Sequence, residues 1–211
     1  MEKLPLELEL LASTLQEARQ LEPNDVPDID LYMDQLVTLL DTRLASLKPD
    51  SELPFVTSTM VNNYAKAGLL PPIKKKRYTR PHALALAFIG QLKRVFSIMQ
   101  LKRIIRTATP TGDDFSMEIY KLFNDSQREC LDDTYNELLE AYTICRRRGL
   151  AGDALIAGIG VYIGAKAQYK SILVDRVLAL LDKGNTTRSA GREKSEQDNK
   201  VVQLRGEGRV S

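Results

Sequence analysis

The sequence predicts an all-α protein that carries one short basic turn. Apolar residues recur at helical spacing along most of the chain, and no segment shows the apolar–polar alternation of a half-buried strand. Residues that favour helix starts precede several of these segments, as Thr57, Thr79 and Ser97 do, and Gly68 follows one of them. With 211 residues, of which 43% are hydrophobic, the chain can fill a core.

The helices are predicted in a simple order along the chain. Pro5 begins a short amphipathic helix, and a second helix starts at a cap near Asp30 and ends by residues 48–50. A third helix is capped by Thr57 or Ser58, ends at Gly68 and cannot continue through the prolines at 71 and 72. Further helices are predicted over residues 80–95, 98–106, 115–123, 126–148 and 153–183, with a linker over 107–114 and a disordered polar tail over 184–211.

Charge is strongly segregated along the chain. Residues 1–53 contain twelve acidic and four basic side chains, whereas residues 54–112 contain eleven basic side chains and no acid. A stretch without acids attracts polyanions over its whole surface. We therefore expect residues 54–112 to bind a polyanion, and the motifs described below favour double-stranded DNA.

Several classes of function find no support in the sequence. Cys130 and Cys145 form no CxxC pair and lie far from the single histidine, His82, so no metal or other cofactor is predicted. We interpret both cysteines as small reduced core residues and His82 as a surface or capping residue. No Ser/His/Asp set, phosphate loop or carboxylate pair is present, so we do not expect an enzyme. The acidic N-terminus and the short uncharged run 154–165 indicate a cytoplasmic protein without a signal peptide or membrane span.

The third helix carries the candidate DNA-reading residues. One face is apolar and is predicted to pack on the core: Met60, Val61, Tyr64 and Ala65. The other face has short polar or basic side chains that can reach base edges and phosphates: Ser58, Thr59, Asn62, Asn63 and Lys66. A cluster of cations and a hydroxyl suited to phosphates follows directly: Lys74, Lys75, Lys76, Arg77, Tyr78 and Arg80. The alternative for the helix is an ordinary solvated face. The alternatives for the basic cluster are a solubility patch or a binding site for another anion, and the missing acids argue against a merely solvated patch.

The same residues resemble two known groups of proteins. The order of residues 61–72, then Arg77-Tyr78-Thr79, then 88–89 and 98–105, resembles the DNA-binding head of MerR-type regulators. In those proteins a recognition helix ending in Gly-Leu is followed by a basic wing and two further helices. More narrowly, residues 27–36 together with 60–64 resemble a bacterial domain of unknown function, family 1836. Two features depart from the MerR pattern, since Asn62 and Asn63 stand where Arg and Tyr are usual and the wing is cut to a few residues.

The MerR resemblance implies a helix-turn-helix domain with a minimal basic wing, over residues 22–112. An N-terminal helix (1–21) precedes it, and a helical region for dimerisation or an effector (113–183) and the tail (184–211) follow. The resemblance therefore predicts that the protein is a DNA-binding transcriptional regulator. We expect a homodimer, because a small half-site reader gains specificity by pairing, and an unidentified effector is compatible with the helical region.

Two other functions remain open on the sequence alone. The basic head could dock on an acidic protein partner. Alternatively, the region 115–183 could form a small-ligand pocket, although its aromatic residues are better explained as core: Tyr135, Tyr142, Tyr162 and Tyr169. Three glycines of this region lack the strand context of a nucleotide loop and are interpreted as positions of close helix packing: Gly158, Gly160 and Gly164.

Overall fold

The computed structural model describes residues 4–18, 20–48, 52–109 and 115–206, with side chains as far as residue 181 except at 132. Within these ranges the regular structure is helical apart from two isolated β-bridges, which confirms the predicted all-α class. Short 3₁₀ helices lie at Pro23–Asp25 and Ala45–Leu47. The α-helices are α1 (Leu6–Gln16), α2 (Met33–Arg43), α3 (Ser58–Lys66), α4 (Arg80–Leu92), α5 (Ile98–Ala108), α6 (Met117–Arg147) and α7 (Gly152–Gly206).

The predicted caps of the short helices are confirmed. The Thr57 hydroxyl accepts a hydrogen bond from the Met60 N–H at 3.2 Å and so caps α3. Gly68 follows α3 with φ +70°, a left-handed conformation that glycine adopts without steric cost. At α5, the Ser97 hydroxyl accepts from the Gln100 N–H, and the Gln100 side chain accepts from the Ser97 N–H.

Helix α2 begins at Met33, three residues after the predicted cap at Asp30. The reason is that Leu31 is extended, because its N–H and C=O both pair with the backbone of Tyr78, at 2.8 and 2.9 Å. The free N–H at the helix start is satisfied by the Gln35 side chain, which accepts from the Tyr32 N–H. The predicted start was therefore wrong because a long-range backbone pairing overrides the local cap signal.

Helix α6 is one continuous helix, whereas the sequence predicts a break between residues 123 and 126. Asn124 lies at that predicted break. In the structure its side chain is buried and donates a hydrogen bond to the Leu21 carbonyl at 3.2 Å, and the helix runs on through this position. The Tyr120 hydroxyl donates to the same carbonyl at 2.6 Å, and burial raises the pKa of Tyr120 strongly.

Two other helix ends differ from prediction. Helix α4 ends at Leu92 rather than near residue 95, since the Val95 and Phe96 N–H groups both turn back to the Leu92 carbonyl. Helix α7 continues through residue 206, where disorder was predicted from residue 184 onward. The stretch 184–206 contains no proline, so nothing in it forbids a helix. The predicted linker residues 110–114 and the last tail residues, 207–211, lie outside the described residues.

The chain forms two compact units, Met1–Ile163 and Gly164–Ser211. The main core of the first unit joins α2, α3, α4, α5 and the start of α6. Helix α4 is its centre, with every residue from His82 to Gly90 buried. The ring of Phe88 lies 5.5 Å from Phe115 and 5.2 Å from Phe123, so the core continues past the predicted boundary at residue 112.

A second core in the same unit is formed by α1, the end of α6 and the first turns of α7. Gly158 permits their close approach, because a Cβ at that position would lie 2.5 Å from a Leu150 methyl and 3.1 Å from the Cys145 sulfur. The close-packing interpretation is thus confirmed for Gly158. It was wrong for Gly160 and Gly164, where an added Cβ would meet no neighbouring atom within 4 Å.

Candidate nucleic-acid interface

Helix α3 presents two chemically different faces, as the sequence predicts. Val61 and Tyr64 are buried in the main core, and burial raises the pKa of Tyr64. Met60 and Ala65 are half-buried beside them. The predicted reading face is exposed throughout: Ser58, Thr59, Asn62, Asn63 and Lys66. These side chains are therefore available to a ligand that approaches α3 from solvent.

The segment before α3 is anchored by a carboxylate on α2. Asp41 accepts a hydrogen bond from the Phe55 N–H at 2.8 Å and forms an ion pair with Lys48 at 3.2 Å. The Phe55 N–H is the main cause that lowers the pKa of Asp41, burial opposes it and Lys48 adds to it. Phe55 itself fits against Gly90, where an added Cβ would lie 2.5 Å from the ring. These contacts fix the entry of the chain into α3.

A tight turn of four basic residues follows α3 closely in the chain. Lys74 and Arg77 form an antiparallel β-bridge, and the Arg77 N–H donates to the Lys74 carbonyl at 3.0 Å. The two residues between them, Lys75 and Lys76, have φ angles of 51° and 56°. Lys74, Lys75 and Lys76 are all exposed. We call residues 74–77 the basic turn. Its tip consists of two adjacent lysines in a left-handed conformation, which lysine rarely adopts.

Arg77 and Tyr78 connect the basic turn to the body of the protein. The Arg77 guanidinium carbon lies 3.6 Å from the centre of the Tyr32 ring, so this arginine stacks on an aromatic face. Tyr78 is 4% exposed, pairs through its backbone with Leu31, and has its pKa raised by burial. The side chain of Tyr78 thus packs in the core rather than forming the predicted surface for phosphate.

Arg80 also has partners within the protein. Its Nε donates to the Val26 carbonyl at 3.3 Å, and its terminal nitrogen lies 3.6 Å from the Asp28 carboxylate. Arg80 therefore ties α4 to the segment that precedes α2. No local pattern indicates this role, because Val26 and Asp28 are more than fifty residues away in the chain.

Lys102 is a cation near α3 that was not among the predicted site residues. A Cβ placed on Gly68 would lie 3.5 Å from the Lys102 ammonium nitrogen, so this charge from α5 lies at the C-terminal end of α3. A cation there suits the negative end of the helix dipole. Lys102 belongs to the acid-free stretch 54–112, which is the signal that could have identified it.

His82 caps α4 from inside the protein. It is 3% exposed, its Nδ1 accepts a hydrogen bond from the Thr79 N–H at 3.1 Å, and its Nε2 faces the Pro71 carbonyl at 3.2 Å. The capping interpretation is confirmed, but the surface position was wrong. Through these contacts α4 holds Pro71, which lies in the segment between α3 and the basic turn. A cleft of about 330 Å³ lies beside it, between Asp30 and the basic turn.

The remaining residues singled out in the sequence belong to α6 and α7. Tyr135, Tyr142 and Tyr162 pack against the second core, as expected for core residues, whereas Tyr169 is 76% exposed. Cys145 is buried as predicted, but Cys130 is exposed. Within the described ranges, no group of three His, Cys, Asp or Glu side chains is placed to hold a metal ion. Likewise, none of the helices searched there has the length and apolarity that crossing a membrane requires.

The structure thus defines an all-α protein with an exposed polar helix face and a basic turn. The family model of a domain of unknown function (DUF1836) matches residues 21–126, which is half of the chain. The chain belongs to that family, and the matched residues contain α2 to α5 with the basic turn. No curated protein and no solved structure matches the chain.

Proposed function

We propose that this chain is a DNA-binding transcriptional regulator whose helix α3 enters the major groove. The observation that carries the proposal is the exposed polar face of α3 together with the exposed basic turn, within a stretch of 59 residues that has eleven basic side chains and no acid. Negative phosphates along the duplex match such a surface. Short amides and hydroxyls on a helix match the edges of bases in the groove.

The order of elements supports a winged helix-turn-helix arrangement of the MerR type. Extended Leu31 precedes α2, α3 follows, and the basic turn returns to pair with Leu31 through Tyr78 before α4 and α5 begin. In this interpretation α2 and α3 form the helix-turn-helix pair and the basic turn acts as a minimal wing. A wing of this kind reaches the phosphates beside the groove that the helix occupies.

We assign the recognition of bases and the binding of phosphates to different side chains. Asn62 and Asn63 are exposed amides, and an amide can pair with both polar edge atoms of adenine. Lys74, Lys75 and Lys76 are flexible point charges, which bind phosphate without distinguishing sequence. Serine and threonine at the start of α3 and Lys66 near its end complete the surface, with Lys102 beside it.

Two variants of the full chain test this assignment against a duplex selected from random DNA by the wild type. Replacing Asn62 and Asn63 by Ala should weaken binding to the selected duplex by about 1–3 kcal/mol for each base-pairing amide and leave scrambled duplex nearly unchanged. Replacing Lys74, Lys75 and Lys76 by Ala should weaken binding to both duplexes and reduce the salt dependence. Equal losses on both duplexes for the asparagine variant would assign those residues to the backbone and refute base readout.

We also propose that the protein is a homodimer that pairs through α7. In the unit Gly164–Ser211, large apolar side chains at helical spacing are exposed on α7: Tyr169, Ile172, Leu173, Val177 and Leu180. Apolar groups repeating along one helix face need a partner surface. A second copy satisfies this need and gives the two half-sites that a small DNA reader requires.

Sedimentation of the full chain tests the dimer. We expect a dimeric mass for the wild type at micromolar concentration and a monomeric mass after Leu173→Glu with Leu180→Glu. The matched control is Ala167→Glu with Gln168→Glu, which adds the same two negative charges at exposed positions of α7 outside the apolar face and should leave the dimer intact. A monomeric wild type would contradict the proposal.

A further inference from the structure

A cleft of about 210 Å³ lies between the segment before α3 and the end of α4, apart from the proposed DNA surface. Its apolar lining includes Leu53, Pro54 and Phe55. Its polar lining consists of Gln91, Lys93 and Arg94 together with Lys48, which is paired with Asp41. The cleft therefore combines an apolar surface with a group of hydrogen-bond donors, which is the usual composition of a small-molecule site.

Gln91 contributes a polar atom without a protein partner. Its side-chain nitrogen is fully buried and forms no hydrogen bond within the described part of the chain. Buried polar atoms are almost always hydrogen-bonded, because burying them unpaired removes the bonds they make to water. Gln91 also lines the cleft, so a ligand toward which this side chain turned would supply the missing acceptor.

Lys93 and Arg94 contribute two positive charges to the lining of the cleft. In the described ranges, neither side chain forms an ion pair or hydrogen bond. Partial burial and the neighbouring Arg94 charge lower the pKa of Lys93. Two adjacent cations that repel each other beside an unpaired amide favour an anion, which would compensate all three groups.

The size and the apolar lining narrow the class of anion. A volume of about 210 Å³ is smaller than the ~300 Å³ at which pockets for drug-sized ligands begin, so the ligand is small. An inorganic anion would leave Leu53, Pro54 and Phe55 without contacts. A phosphate of a DNA backbone can meet the exposed cations but carries no apolar group that fits against this lining.

We propose that this cleft binds a small organic carboxylate, with its apolar body against Leu53, Pro54 and Phe55 and its carboxylate bound by Gln91, Lys93 and Arg94. The site is separate from the reading face of α3 and from the basic turn. Its occupancy can be measured without DNA, so its failure and the failure of the proposed function are distinguishable.

Calorimetric titration of the full chain with four probes tests the site. The probes are 3-methylbutanoate, benzoate, the neutral 3-methylbutanamide and inorganic phosphate. We expect saturable binding of at least one carboxylate and no binding of the amide. Arg94→Gln should weaken that binding by about tenfold, as expected for the loss of a charge-assisted hydrogen bond. The control Arg106→Gln removes an exposed cation of α5 outside the cleft and should have no effect.

Two variants, Gln91→Met and Arg94→Gln, test the contacts of the carboxylate independently. Gln91→Met retains the size of the side chain but removes its donor, and it should also weaken carboxylate binding. Arg94 is exposed, so Arg94→Gln remains folded and informative even if Gln91→Met does not fold. The proposal is overturned if no carboxylate binds at millimolar concentration, if phosphate binds as tightly as the carboxylates, or if Arg106→Gln weakens binding as much as Arg94→Gln.

Discussion

The tip of the basic turn gives a prediction in which stability and DNA binding change in opposite directions. Lys75 and Lys76 have φ angles of 51° and 56°, a region that costs a residue with a side chain roughly 1 kcal/mol or more. Asn-Gly is the pair that two-residue turns of this shape favour, because both residues tolerate positive φ. The double substitution Lys75→Asn with Lys76→Gly should therefore stabilise the protein by about 1–2 kcal/mol.

The same substitution removes two charges from the proposed wing. Each phosphate that the protein no longer neutralises lowers the slope of log affinity against log salt by about 0.9, so the slope should fall by about 1.8. Stability is followed by urea unfolding with far-ultraviolet circular dichroism, since the chain has no tryptophan to report by fluorescence. Binding is followed by fluorescence anisotropy of a labelled duplex.

A charge-only variant separates the two effects. Lys75→Gln with Lys76→Gln removes the charges but keeps two residues with side chains at positive φ, so it should lose the same DNA affinity without a gain in stability. If the Asn-Gly variant is no more stable than this control, the turn stores no backbone strain. If both variants bind DNA like the wild type, the turn does not contact phosphate.

Two further predictions concern the scaffold. Gly90→Ala should destabilise the protein by about 1–2 kcal/mol, because the new Cβ would lie 2.5 Å from the Phe55 ring and overpacking outweighs the better helix propensity of alanine. Gly160→Ala, with no atom near its new Cβ, should instead stabilise by about 0.5–1 kcal/mol, and urea unfolding compares the two. The lowered pKa of Asp41 means that its contribution to stability is present above its unfolded value of 3.8 and is lost as the pH falls below that value. Asp41→Asn should accordingly flatten the dependence of unfolding free energy on pH between about pH 5 and about pH 3, and an unchanged acid slope would show that the Phe55 N–H does not stabilise the carboxylate.

Local signals in the sequence were sufficient for the short elements of the fold. Thr57, Gly68 and Ser97 define helix ends through interactions with residues three or four positions away, so their roles follow from spacing alone. The two faces of α3 follow from its 3.6-residue period in the same way.

Interactions between distant residues could not be predicted from the sequence. The predicted cap at Asp30 was wrong because Leu31 pairs with Tyr78. The predicted break near Asn124 was wrong, and there the Asn124 side chain donates to the Leu21 carbonyl. In the candidate interface, Tyr78 packs in the core and Arg80 donates to the Val26 carbonyl. Both contacts involve residues distant in the chain, so local patterns do not predict them. A cation cluster in a sequence indicates charge, but it does not show which side chains are already engaged.

The affinity of the full chain for duplex DNA, measured from low to high salt, tests the central claim most directly. DNA binding by the acid-free stretch predicts a linear fall of log affinity with log salt, since each neutralised phosphate releases counterions. Replacing Lys74, Lys75 and Lys76 by Ala should reduce that slope by about 2.7. Absence of binding at low salt, or an affinity independent of salt, would contradict the proposal that this protein is a DNA-binding regulator.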